Sequence, residues 1–172
     1  MKKYFLFFLV ISLVFSCKED KPKEETILVP SRNETADMNK TWTLEEQEII
    51  NQFVERNQWE MTTSESGLRY FIYKEGTGDK AEPGMKAMVD FSITLLDGSE
   101  VYSTKESGPQ PFHINQDNVE AGIHEGITYM NVGDRAKLIL PPHLGHGLMG
   151  DQYKIPPLAT LVFDIRLLGL SK

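Results

Sequence analysis

Four histidines, a single cysteine and a Pro-Pro corner are the residues on which chemistry could be built. His143 and His146 stand at i and i+3 in a glycine-containing stretch. Their nearest acid is Asp151 and no third ligand is at hand, so no metal site is expected there. Cys17 has no partner for an intrachain disulfide or a cysteine-based zinc site. Gly-x-Ser-x-Gly, His-Glu-x-x-His and phosphate-loop patterns are absent. An enzyme with this inventory needs a reaction that uses no nucleophile, metal or cofactor.

Rotation about an X–Pro peptide bond is such a reaction. Its barrier, about 18–20 kcal/mol, comes from amide resonance. Uncatalysed rotation takes roughly tens to hundreds of seconds at 25 °C. The twisted transition state loses the charge separation of the planar amide, so a dry apolar pocket favours it. A hydrogen bond to the substrate carbonyl holds it in place. Ile155-Pro156-Pro157, leading into Leu161 to Leu168, supplies candidates for both parts. Leu161, Phe163, Ile165 and Leu167 share one strand face by the period of two, with Val162, Asp164 and Arg166 on the other. Pro156 holds Ile155 extended, and neither proline donates a backbone hydrogen bond. The Ile155 N–H is therefore expected to stand free beside an apolar face, ready for a ligand carbonyl. An ordinary turn before a core strand would have the same local pattern.

Strands are the dominant expectation from Gly67 onward. Leu68, Tyr70 and Ile72 alternate with Arg69, Phe71 and Tyr73. Val89, Phe91, Ile93 and Leu95 alternate with Asp90, Ser92 and Thr94. Asp97-Gly98 signals a hairpin, with Glu100 to Thr104 returning. Gly108-Pro109-Gln110-Pro111 breaks the chain before Phe112-His113-Ile114. Val119, Gly122, Ile123, Gly126, Ile127 and Met130 form one helix face, with Asp117 or Asn118 as the expected cap. Glycines on that face imply close approach to a sheet. Arg135 to Leu140 is a further strand, and 141–153 a glycine-containing loop.

The N-terminal third is of a different kind. Lys2 and Lys3 precede an apolar run, Tyr4 to Phe15, too short to span a bilayer and suited to a signal-peptide core. Ser16-Cys17 after it resembles a bacterial lipobox, so Cys17 is the expected lipidation site. Lys18-Glu19-Asp20 is similar to acidic tags that direct lipoproteins to the outer membrane. Residues 17–40 are expected to be a polar, disordered tether. Thr43-Leu44-Glu45-Glu46 fits a capping box, and Ile49, Ile50, Phe53 and Val54 then form the apolar face of a helix ending near Asn57. That face is expected to dock on the domain, with helix-mediated dimerisation as the alternative. The expected divisions are 1–16 signal peptide, 17–40 tether, 41–66 helical segment and 67–172 globular domain. A net charge of −7 and no run of basic residues argue against nucleic acid as a partner.

From about Gly67 to Leu170 the chain resembles the FKBP-type peptidyl-prolyl cis-trans isomerases. The resemblance rests on Gly84 to Ser92, Asp97-Gly98, Gly108 to Phe112, and Val119 to Lys137 with its Glu-Gly-Ile-x-x-Met-x-Val-Gly-Asp-Arg-Ala-Lys run. Pro141 to Gly147 and Ile155-Pro-Pro-x-Ala-Thr-Leu-Val-Phe-Asp-Ile complete it. It implies an α+β fold, an antiparallel half-barrel of five or six strands wrapped over one short helix, here with an added N-terminal helix. It also implies prolyl isomerisation without a cofactor. The implied catalytic set is Phe91, Tyr102, Phe112, Ile155 and Phe163; the implied substrate-binding set is Val101, Val119, Glu120, Ile123 and His146. Phe91 replaces a tyrosine, Val101 a phenylalanine, Tyr102 an aspartate, Ile123 the floor tryptophan and His146 a rim tyrosine. Lipobox, tether and single domain together look like isomerase lipoproteins of Bacteroidetes-type bacteria, including those tied to gliding motility. The implied partners are proline-containing polypeptides, a membrane reached through the lipid, and envelope or motility-complex proteins. A binding or chaperone module of weakened catalysis is the rival expectation.

Overall fold

The computed structural model describes residues 32–172, with side chains described from Thr41 onward. The expected signal peptide, the expected lipidation site Cys17 and most of the expected tether lie outside the described residues. Helix α1 spans Arg32–Asn57, 26 residues. Its first residue stands eleven positions before the expected capping box, so the last part of the expected tether is helical. No glycine or proline interrupts residues 32–42, and Pro30 is the last breaker before them. Inside a continuing helix Thr43 has no end to cap. Glu46 instead accepts a hydrogen bond from the Thr160 hydroxyl at 3.1 Å, tying α1 to the chain ahead of the last strand.

The strands are β1 Thr62–Thr63, β2 Arg69–Lys74, β3 Lys86–Leu95, β4 Glu100–Ser103, β5 Gln110–His113, β6 Arg135–Leu140 and β7 Leu161–Ser171. They form one antiparallel sheet in the order β1-β2-β6-β7-β3-β4, with β5 also paired to β3. Two of the seven lie outside the expected pattern of long alternating runs. β1 has only two residues, too few to show a period. β5 starts two residues earlier than expected, inside the Pro-rich break. It is an edge strand, where Pro111 forfeits no ladder hydrogen bond that the fold needs.

Helix α2, Ala121–Ile127, lies in the concave face. Its buried residues are Gly122, Ile123, Gly126 and Ile127. A Cβ at Gly122 would stand 2.5 Å from Leu140 Cγ, and one at Gly126 2.7 Å from Leu138 Cδ1. The two glycines therefore let the helix backbone rest directly on β6, as their place on the buried face implied. The cap differs from expectation. Val119 N–H turns back onto the Asp117 carbonyl, which delays the helix, and Glu120 becomes its N-cap with no side-chain cap bond. Asp117 serves the preceding turn instead, accepting from the His113 N–H at 2.7 Å.

The main core lies between the sheet and α2 and includes the inward residues of β3, β6 and β7. A second cluster lies on the opposite sheet face, where α1 docks. Ile50, Ile139 and Val162 are buried there, with Phe53, Val54 and Trp59 packed around them. Val162, on the polar face by its alternation, is covered by the helix. Complete burial of Ile50 alone contributes about 1.5–3 kcal/mol to that docking. Ile49 does not join it and is 55% exposed. One residue from Ile50, it is turned by about 100° around the helix.

Candidate active site

β3 changes partner midway, and the site is built where it does. Lys86 to Val89 pair with β5, and Ser92 to Thr94 with β4, while β7 runs along the other side throughout. Phe91 sits at the changeover. Its N–H donates to the Thr104 hydroxyl at 3.0 Å, and its carbonyl accepts from the Thr104 N–H at 2.9 Å. The gap between β4 and β5 is thus closed without a strand. Next to it, Ile93 pairs with Tyr102 and Thr94 with Glu100, making Val101 the extra residue of a bulge. The bulge lets both neighbours serve the core: Val101 is buried and Tyr102 half-buried against it.

The expected apolar residues come together. Val101, Phe112, Ile123, Ile155 and Phe163 are buried in one cluster, with Phe91, Tyr102 and Val119 packed against it. The Phe91 and Phe163 rings are 6.1 Å apart at 50°, within the favourable range for tilted aromatic pairs. At the other side the Phe112 ring meets the His124 ring edge-on at 5.6 Å. His124 is itself held: Nδ1 accepts from the Asn115 N–H and Nε2 donates to the Asp117 carbonyl, both at 2.9 Å. The loop that carries Val119 is therefore braced against Phe112. His146 Nε2 pairs with Glu120 Oε1 at 3.0 Å, joining the start of α2 to the 141–158 loop. His143 is spent elsewhere, on the Ser66 carbonyl, so the two loop histidines do not converge.

The role expected of the Ile155 N–H is overturned. It is not free but donates to Asp151 Oδ1 at 2.7 Å. The prolines on its C-terminal side remove local acceptor competition, as the sequence implies, but a carboxylate four residues upstream takes the donor. The Ile155 side chain still joins the cluster, 2% exposed. The first turn of α2 leaves N–H groups at its start without intrahelical acceptors, those of Glu120, Ala121 and Gly122 among them.

Three supporting residues were not singled out from sequence as site residues. Thr104 and His124 act through loop geometry that no periodicity encodes. Asp151 does leave a signal, because an aspartate two to four residues before Tyr153, Lys154 and Ile155 is poised to accept from backbone N–H groups. The Tyr102 hydroxyl also donates to Asp151, through Oδ2. Its pKa is pushed up to about 12, first by that hydrogen bond and then by desolvation and the Asp151 charge. Desolvation acts to raise the Asp151 carboxyl. The hydrogen bonds from Tyr102 and from the Ile155, Tyr153 and Lys154 N–H groups outweigh it and hold the group well below the usual carboxylate range.

A half-barrel over one helix, with an aromatic-walled apolar cluster at the β4–β5 gap, is the arrangement that the family resemblance implies. The chain belongs to the family described as FKBP-type peptidyl-prolyl cis-trans isomerase, whose model matches residues 78–168. It is 36% identical over 109 residues to the FKBP-type peptidyl-prolyl cis-trans isomerase FkpA of Escherichia coli (strain K12), covering 63% of this chain and 40% of that protein. It is 36% identical over 103 residues to FK506-binding protein 1 of Dictyostelium discoideum, covering 59% of this chain and 96% of that protein. The crystal structure of FkpA from Escherichia coli superposes with a TM-score of 0.66 at 30% identity, covering 80% of this chain and 64% of that one. The matched region thus spans about two fifths of the curated FkpA sequence.

Proposed function

We propose that the protein catalyses cis-trans isomerisation of X–Pro bonds in polypeptide substrates. The observation that carries this reading is the apolar cluster formed by Phe91, Phe112, Ile123, Ile155 and Phe163 beside the N-terminal turn of α2. The prolyl ring enters the cluster, and the Glu120 N–H takes the substrate carbonyl, the task first expected of Ile155. Desolvation of the amide favours the twisted state, and no group of the protein exchanges a proton or forms a bond. A second reading, a binding module with weakened catalysis, draws support from Ile123, where the family resemblance implies tryptophan, and from Tyr102 in place of an acid. Ile123→Trp separates the two. It should raise kcat/KM on an X–Pro peptide and tighten binding of a macrolide ligand, provided overpacking, which costs about 1–3 kcal/mol, leaves it folded. Thermal melting checks the proviso. A folded variant with neither gain would argue against a proline pocket of the family's kind.

Part of the same proposal is a location. Cys17 carries acyl chains that hold the domain on a membrane of the bacterial envelope, periplasm-facing or on the outer membrane, where its clients are exported proteins. The support is the Ser16-Cys17 pattern after a short apolar run and the Lys18-Glu19-Asp20 sequence. No described helix is long and apolar enough to cross a membrane. A role in gliding motility rests on likeness to motility-associated lipoproteins. Because a single acyl chain binds only marginally, the anchor needs more than one. Cys17→Ala should move the protein from the membrane fraction to the soluble fraction. Retention of that variant through detergent-free washing would overturn the anchor.

A further inference from the structure

The segment 147–158, which opens with the 3₁₀ turn Gly147–Met149 and ends shortly before β7, closes on itself. The Leu158 N–H donates to the Gly147 carbonyl at 2.9 Å, and the Asp151 N–H to the Ile155 carbonyl at 3.1 Å. One side chain organises what lies between. Asp151 Oδ1 accepts from the N–H groups of Tyr153 and Lys154 at 2.9 Å each, and of Ile155 at 2.7 Å. Gly150 has φ +62°, and a Cβ there would collide with the Ile155 carbonyl, so the backbone is drawn tight around the carboxylate. The other oxygen, Oδ2, faces out of the loop and takes the Tyr102 hydroxyl from β4. Lys154 lies across this junction, with Nζ 5.1 Å from the Tyr102 ring centroid. Outside the tie the loop's side chains face solvent: Leu148, Met149 and Tyr153 are 70%, 66% and 82% exposed. The buried exception is Ile155.

We propose that Asp151 is a positioning residue for the prolyl pocket: by joining the loop backbone to Tyr102, it fixes Ile155 in the pocket wall and thereby sets substrate affinity. The inference rests on the prolyl-isomerase reading of the site. It assigns a division of labour between two positions. Tyr102 stands where the family resemblance implies an acid, and the acid is supplied from across the cleft by Asp151. The carboxylate does not touch the reacting amide; its hydrogen bonds are spent on Tyr102 and on backbone. Its loss should therefore appear in KM more than in kcat, because the loop samples positions in which Ile155 leaves the wall. A merely structural role would lower stability and leave the KM of the folded fraction unchanged.

The experiment uses the full chain and compares wild type with Asp151→Ala, Asp151→Asn and Tyr102→Phe. It measures kcat and KM on an X–Pro tetrapeptide and amide hydrogen exchange at Ile155. Asp151→Ala should raise KM and speed Ile155 exchange by about tenfold each, the scale of one lost charge-assisted hydrogen bond. Asp151→Asn keeps a carbonyl oxygen for the three N–H groups, so it should stay within about threefold of wild type in both. Tyr102→Phe cuts only the tie to β4 and should raise KM with Ile155 exchange largely preserved. It remains informative if Asp151→Ala does not fold. Wild-type KM in a folded Asp151→Ala or in Tyr102→Phe would overturn the proposal. If wild type shows no turnover, the isomerase reading fails separately. Peptide affinity by calorimetric titration then takes the place of KM, with the same expected order and the same overturning result.

Discussion

Phe163→Ala should lose about 3–5 kcal/mol of stability together with all measurable isomerase activity. The ring is 3% exposed, faces Ile93 across the β3–β7 ladder and packs against Phe91. Removing it opens a cavity between the two longest strands at the wall of the proposed pocket. The surrounding sheet is hydrogen-bonded on both sides of β7, so it has little freedom to collapse into the space. Chemical denaturation of the variant measures the stability term. A domain of this size has about 5–15 kcal/mol of stability, so over most of that range a loss of about 3–5 kcal/mol leaves the variant folded at low temperature. Activity measured there separates pocket loss from unfolding. A cost below about 1 kcal/mol would mean that Phe163 is not the buried wall described above.

Asp134→Ala should be nearly as damaging, at roughly 2–5 kcal/mol, although no part of it belongs to the site. Its carboxylate is 1% exposed and accepts from the Gly76 and Asn131 N–H groups. Alanine would leave both donors buried without an acceptor. Its own backbone is part of the same knot: the carbonyl accepts from the Leu167 N–H at 3.1 Å, and the Gly133 N–H donates to the Leu167 carbonyl at 2.8 Å. Asp134→Asn should also destabilise, since its amide NH₂ would face one of the two donors. Thermal melts of both variants check the expectation. An unchanged melting temperature for Asp134→Ala would show that water satisfies these groups in solution.

The strands that bury one face against α2 were legible because their alternation has one meaning. β6 runs from Arg135 to Leu140 as its pattern implies, and the inward set of β7 is Leu161, Phe163, Ile165 and Leu167. Val162 lies on the opposite face, as the alternation implies; its burial there was not legible, because α1 covers that face and local alternation carries no record of a helix from the other end of the chain. The start of α1 was hidden because a capping-box pattern inside a helix looks the same as one at its end. At the site, the apolar members follow from the strand periods and the family resemblance. The donor does not. Ile155 has the free-standing N–H that Pro-Pro implies until Asp151 reaches it. That choice depends on loop closure through Gly150, which hydropathy cannot express.

The central claim is that this apolar cluster speeds rotation about X–Pro bonds. A protease-coupled assay on a short X–Pro peptide, with the full chain at 10 °C, tests it most directly. At that temperature uncatalysed exchange takes minutes, so even weak catalysis stands above background. The account predicts a cis-to-trans rate that rises in proportion to protein concentration and falls to background with Phe163→Ala. A wild-type rate equal to the uncatalysed one at every concentration, with the protein folded and binding the peptide, would contradict it.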